Sequence, residues 1–359
     1  MKIQHLAAVI AFGFVASAAV ACGGGKPAES PASAGSTDTA SKSATTASAP
    51  STASSPAGPM DGPAAPTNSD DVKKGIAAMK AGNWNAARDA FEAALKKNPK
   101  QADAHFYLGV VMEKTGDKAA AEKHYKDALA ADPNLDEAAV NLTAFYIDTQ
   151  KWDDAIELAK KAVAKNNKNA AMQLSLGLAL AGKGDQAGAM KAFDEATRLE
   201  PNNAEYFLAY GHQLAEWKKQ PEAVTKLKQA LAVAHDDAGL LGQIGLELRS
   251  LRAVPECIQA MDKAIAAKDN AEFRVIRGQC KMANKDKAGA LADAQAAVAS
   301  QPDYPPAHYW LGSWLGEDGK YKEAVSEFET YLKLAPKGPF AESAQKKIKL
   351  AKDKSGGKK

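Results

Sequence analysis

The sequence predicts an all-α solenoid of about eight helix pairs, preceded by a disordered linker and closed by a C-terminal capping helix. Three recurrences predict it. A glycine returns about every 34 residues, at Gly75, Gly109, Gly177, Gly211, Gly245, Gly278 and Gly312, with Thr143 in the one missing place. An alanine follows twelve residues after each, at Ala87, Ala121, Ala155, Ala189, Ala223, Ala290 and Ala324, with Cys257 substituting once. Small residues return seven positions further on, from Ala94 to Ala297, until Tyr331 ends the series. A period near 34 held in phase by three small positions indicates a stacked array of helix pairs. Each unit of such an array contacts mainly its neighbours, and the stack presents a long binding surface.

Residues 1–21 read as an export signal. Lys2 gives a positive start, and residues 6–20 form an apolar run without a charge. That run is too short to span a bilayer comfortably. It closes on Ala19-Val20-Ala21-Cys22. These residues resemble the lipobox of bacterial lipoproteins, in which the cysteine is lipidated and becomes the N-terminus. The resemblance implies an acyl (palmitate-type) anchor on Cys22. Gly23, where an aspartate would signal retention in the inner membrane, implies the outer membrane with the chain facing the periplasm. The same residues also fit ordinary cleavage after Ala21, which would release a soluble periplasmic protein.

Residues 22–67 change composition. From 23 to 67, Ala, Ser, Thr, Pro and Gly dominate, with no aromatic residue and no Leu, Ile or Val. Such a segment cannot bury enough surface to offset its conformational entropy, so a disordered tether is expected. Its reach as a flexible coil would be roughly 35–40 Å.

Residues 68–337 hold the repeats, starting near 68, 102, 136, 170, 204, 238, 271 and 305. The second repeat carries Leu108-Gly109, Met112, Gly116, Ala121, Tyr125, Ala128 and Pro133. The fourth carries Leu176-Gly177, Leu180, Gly184, Ala189, Phe193, Ala196 and Pro201. Pattern and period resemble the tetratricopeptide repeat. The small residues let helix A and helix B of a pair approach closely, while Phe91, Tyr125, Phe193 and Phe328 fill space along helix B. Pro99, Pro133, Pro201, Pro302 and Pro336 end helix B. Gly82, Gly116, Gly184 and Gly319 mark the turn within a repeat. Two repeats depart from the pattern. The first has Lys74 where the core wants Leu, which suits an end. The seventh starts only 33 residues after the sixth, with Arg277 and Lys281 in apolar places and an alternative stripe of Phe273, Ile276, Cys280 and Ala283. Residues 338–359 carry seven lysines, and Phe340, Ala344, Ile348 and Ala351 fall at helical spacing. They read as a helix capping the open end of the stack, followed by a basic tail.

No catalytic constellation emerges, and no cofactor or metal is implied. Residues 177–184 nearly spell a P-loop, but Gly184 stands where Ser or Thr would touch magnesium, and Gly177 belongs inside a helix. His105, His124, His212, His235 and His308 are scattered, with no pair at metal-ligand spacing. Asp153-Asp154 and Asp236-Asp237 sit at expected helix starts, where carboxylates serve the dipole. Lipidation would use Cys22, leaving Cys257 and Cys280 on neighbouring helices. A disulfide between them is feasible in an exported chain, and two small buried thiols are the other reading. The net charge is only +3, with no basic stripe for nucleic acid.

The resemblance implies that positions 2, 5, 9 and 12 of each helix A line a concave groove. The apolar candidates there are Val72, Ile76, Phe106, Val110, Val140, Leu174, Leu178, Leu208, Val275 and Tyr309, with His212 among them. The expected role is a scaffold or assembly factor that holds a segment of an envelope protein, attached to the membrane through its lipid, with no nucleic-acid partner. A periplasmic holdase with many weak clients is an alternative. A receptor or enzyme built on Arg274, Arg277 and Lys281 of repeat seven is another.

Overall fold

The computed structural model describes residues 69–356; the export signal, Cys22 and the tether expected from the sequence lie outside the described residues. Seventeen helices follow one another, with no strand among the described residues. The repeats pair α1 (Asp70–Lys80) with α2 (Trp84–Lys97), α3 (Ala102–Thr115) with α4 (Lys118–Ala131), α5 (Asp136–Asp148) with α6 (Trp152–Lys165), and α7 (Ala170–Lys183) with α8 (Gln186–Leu199). They continue with α9 (Ala204–Glu216) and α10 (Gln220–Val233), α11 (Ala238–Ser250) and α12 (Val254–Ala267), α13 (Ala271–Ala283) and α14 (Lys287–Ser300), then α15 (Pro305–Glu317) and α16 (Tyr321–Leu334). α17 (Ala341–Gly356) closes the described chain. Each helix packs on the helices one or two places away in sequence, which makes the fold an α-solenoid.

Within a repeat, the turn after helix A needs a left-handed residue. Gly82, Gly116, Gly184 and Gly319 supply it with φ between 72° and 92°. Gln150, Lys218, Arg252 and Lys285 hold the same place in the other four repeats, with φ between 56° and 64°. A side chain there costs about 1–2 kcal/mol relative to glycine. Asn83, Asp117, Asp185 and Asp286 then cap helix B, each accepting a hydrogen bond from the backbone N–H three residues on.

The recurrent helix A glycine is a packing residue. A Cβ on Gly75 would stand 2.4 Å from the Phe91 ring, on Gly109 2.7 Å from Tyr125, and on Gly177 2.8 Å from Phe193. Leu227, Met261 and Phe328 stand over Gly211, Gly245 and Gly312 in the same way. The large residue always lies sixteen positions after its glycine. Two repeats solve the contact differently. Repeat three has Thr143 and Ala159 at these positions, both fully buried, and Met172 of α7 reaches the Thr143 hydroxyl at 3.9 Å. Repeat seven pairs Gly278 with Ala294, and Trp314 of α15 comes in from the next repeat to fill the space.

The buried apolar residues form one large cluster from Val72 to Ala223, a second from Ala204 to Cys280, and a third from Ala290 to Ala344, with a small fourth beneath α13–α15. α17 covers the end of the third. Phe340, just ahead of the helix, stacks on Tyr309 at 4.3 Å, the Tyr309 hydroxyl meets Ser343 Oγ at 2.9 Å, and Lys347 Nζ donates to Ser313 Oγ at 3.0 Å. Both hydrogen-bonded pairs are 34 residues apart, so α17 lies where the helix A of a ninth repeat would lie.

Candidate functional site

The groove expected from the sequence is largely filled. Val72 and Leu174 are fully buried, and Phe106, Val110, Leu178, Leu208, Val275 and Tyr309 are buried as well. His212 is 5% exposed and bonded through Nδ1 to Glu247 Oε1 at 2.8 Å. Of the eleven candidates, only Ile76 and Val140 keep partial exposure. The physical reason is the closeness of successive A helices. α5 touches α7, α9 touches α11, and α13 touches α15 directly. Where the next A helix lies this close it helps to cover the fifth place, as it does for Leu208 and as the cap does for Tyr309, while Val140 stays half-exposed. The apolar stripe read from the sequence is thus inter-repeat core rather than an open binding stripe.

What stays accessible on the A helices is mixed in character. Ile76, Val140, Ala144 and Leu246 are half-exposed. Asp103, Glu137 and Glu205 are half-exposed in the second place of their repeats, and Glu272 is exposed there. These carboxylates act on what lies between them. Burial pushes the Tyr107 phenol up, and Asp103 and Glu137 push it further. Burial likewise raises Glu205, with Asp237 adding to it. Further along the same face, Tyr125 Oη donates to Glu113 Oε2 at 2.7 Å. Burial holds the Glu113 carboxyl above its usual range despite that bond, and lifts the Tyr125 phenol well above its own.

The basic cluster of repeat seven is an internal ion-pair network. Arg277 meets Asp293 of α14 with two parallel bonds, Nε to Oδ2 at 2.9 Å and Nη2 to Oδ1 at 2.5 Å, and reaches Asp262 of α12 at 2.7 Å. Lys281 lies 3.0 Å from Asp293, and Arg274 is bound to Asp269. The Asp293 bonds raise the Arg277 pKa. All three cations have carboxylate partners, so the receptor or enzyme imagined around them loses its free charges. Phe273, Ile276 and Cys280 of the alternative stripe are buried, whereas Ala283 is exposed. Cys257 of α12 and Cys280 of α13 are joined by a disulfide, with Cα atoms 6.3 Å apart. The near P-loop lies inside α7 with Gly184 as its C-cap. Asp153 and Asp154 fall in the first turn of α6, and Asp237 caps α11 through Leu240 N.

The histidines are less scattered than their spacing suggests. His105 of α3 and His124 of α4 face each other through their Nδ1 atoms at 3.1 Å, with Asp127 beside them. Nineteen residues separate the two, a spacing that no metal motif announces. Only the pairing of helix A with helix B brings them together.

A family model described as tetratricopeptide repeat matches residues 72–136, 146–204 and 277–339, together more than half of the chain. Protein FlbA of Caulobacter vibrioides is 32% identical over 127 residues, which is 35% of this chain and 21% of FlbA. The chain therefore spans about a fifth of that relative's length. Among solved structures, MamA matches with 22% identity and a TM-score of 0.40, covering 45% of this chain and 94% of MamA. YrrB, described as a TPR protein with an unusual peptide-binding site, matches with 20% identity and a TM-score of 0.43, covering 52% of this chain and 97% of YrrB.

Proposed function

This chain belongs to the tetratricopeptide repeat family, and from that premise we propose that it is a protein-interaction scaffold of a bacterial envelope, tethered through Cys22 to the periplasmic face of the outer membrane. The observation that carries the reading is the uninterrupted series of eight helix pairs held in register. Side chains 29 to 35 residues apart bond from one repeat to the next, as in Lys151–Glu122, Lys183–Asp153 and His212–Glu247. A stack built in this way offers one long face of A helices to a partner segment.

The accessible residues on that face define the partner's chemistry. Half-exposed Ile76, Val140 and Leu246 favour apolar side chains, and Asp103, Glu137, Glu205 and Glu272 favour basic ones. The expected ligand is an extended or helical segment that combines the two. The Cys257–Cys280 disulfide supports an exported location, because such bonds persist in oxidising compartments. The membrane attachment rests on the resemblance of residues 19–22 to a lipobox.

A photo-reactive amino acid at Ile76 or Val140, incorporated in cells of the source organism, tests the reading. One dominant envelope-protein adduct from both positions is expected. A smear of many clients would turn the assignment to a holdase, and no adduct from either position would remove the A-helix face as the docking surface. Fractionation of Cys22→Ala in the same cells tests the tether. The wild type is expected with the outer membrane and the variant in the soluble periplasm, whereas membrane retention of the variant would overturn the anchor.

A further inference from the structure

We propose that repeat two holds a binding site for a late first-row divalent cation of the zinc class, formed by His105, His124 and Asp127. The three residues come from two helices, His105 from α3 and the other two from α4. One ligand atom of each lies within 4.8 Å of the others. The two Nδ1 atoms are 3.1 Å apart. Two imidazole nitrogens on one tetrahedral zinc, each at about 2.0–2.1 Å, would be separated by about 3.3 Å. The pair therefore needs only a small relaxation to accept an ion between them.

The tautomer of His105 is set for this. Its Nε2 lies 3.0 Å from the Pro99 carbonyl oxygen, which can only accept, so Nε2 carries the hydrogen. In the neutral ring Nδ1 then accepts the hydrogen that His124 Nδ1 carries in the metal-free state, and metal binding shifts that His124 hydrogen to its Nε2 so that both Nδ1 lone pairs reach the ion. Donation from the far ring nitrogen to a backbone carbonyl is the usual outer support of a metal-ligating histidine. Asp127 lies three residues after His124 on the same helix face, and it completes a set of two nitrogens and one oxygen with a fourth position open. Imidazole with carboxylate suits zinc, copper and nickel, and not calcium or magnesium.

Repeat eight provides an internal comparison. His308 occupies the same repeat position as His105, and its Nε2 lies 2.8 Å from the Pro302 carbonyl. Its Nδ1, however, meets Glu327 Oε2 at 2.6 Å, nineteen residues on, where repeat two has His124. Three residues further stands Thr330 in place of Asp127. Repeat eight has thus a closed histidine–carboxylate hydrogen bond. Repeat two has two nitrogens facing each other and a carboxylate alongside. One cation competes for the site: Lys123 Nζ is 2.7 Å from Asp127 Oδ2. Its side chain is 70% exposed and can swing into solvent when a metal arrives.

The test is calorimetric titration of metal-stripped full-length protein with zinc chloride, beside His105→Gln, His124→Gln, Asp127→Asn and His308→Gln. One zinc per chain is expected. Affinity should fall by more than about tenfold in the His105 and His124 variants and stay unchanged in His308→Gln. Zinc-dependent shifts of the His105 and His124 Nδ1 resonances, read by nitrogen NMR on the wild type, should accompany binding, and they decide the matter even if a variant fails to fold. Absence of binding by the wild type, undiminished affinity in both histidine variants, or Nδ1 resonances that ignore zinc would overturn the site. Neither readout depends on the scaffold role or its partner.

Discussion

At the scale of single residues, the fold depends on a trade between a glycine on helix A and a large side chain on helix B. Gly177 and Phe193 are the clearest pair, since the Phe193 ring is fully buried where a Cβ would have to go. Gly177→Ala should destabilise the protein by about 2 kcal/mol through overpacking. In a Phe193→Ala background the same change should be neutral or slightly stabilising, because alanine is the better helix former. Urea titrations of the single and double variants measure this, and equal effects of Gly177→Ala in both backgrounds would refute the trade. The chain contains its own precedent in Thr143 and Ala159. The small positions were legible in the sequence because they recur. Their large partners were only partly so, since aromatics stood out while Leu227 and Met261 did not.

At the scale of helices, repeat seven shows how a broken pattern is repaired. Arg277 stands where the fourth repeat has Leu176, and Asp293 stands where it has Ala192. Asp293 is 3% exposed and bonded to two cations. Removing it as Asp293→Ala should cost about 3–5 kcal/mol, because Arg277 would stay half-buried with its chief partner gone. The double change Arg277→Leu with Asp293→Ala, which restores the residues of repeat four, should recover most of that loss. Additive losses in the cycle, read from thermal or urea unfolding, would show that the pair is not coupled. Reading helix A of this repeat alone finds two misplaced cations; the buried carboxylate that answers them lies on the next helix. The burial of most groove candidates is hidden from the sequence for the same reason. Most fifth places of helix A look like an open apolar stripe until the neighbouring helices are laid over them, and α17 does this even for Tyr309, while Val140 stays half-exposed.

At the scale of the molecule, the described helices contact their near neighbours along the stack, so stability is expected to be local. The buried clusters divide near Cys280, where the second ends and the third begins at Ala290. The disulfide links α12 to α13 across 23 residues just ahead of that division. Replacing both cysteines by alanine should lower local stability by about 3 kcal/mol, the loop-closure value for a ring of this size. Hydrogen exchange should speed up in α12 and α13 and stay unchanged in α3 to α8. A uniform change along the stack would mean that it unfolds as one cooperative unit.

By itself the sequence determined the class of fold, the number and phase of the repeats, and the small residues that let each helix pair close, because a translational repeat writes its packing rule into every period. It also supplied the lipobox-like residues that motivate the tether. Only the tertiary structure decided which apolar residues stay accessible, which charges are answered, and that His105 and His124 meet. Each of these depends on how far one helix lies from another that is 19 or 34 residues away, and on the angle between them. Periodicity along the chain carries the spacing but not that distance.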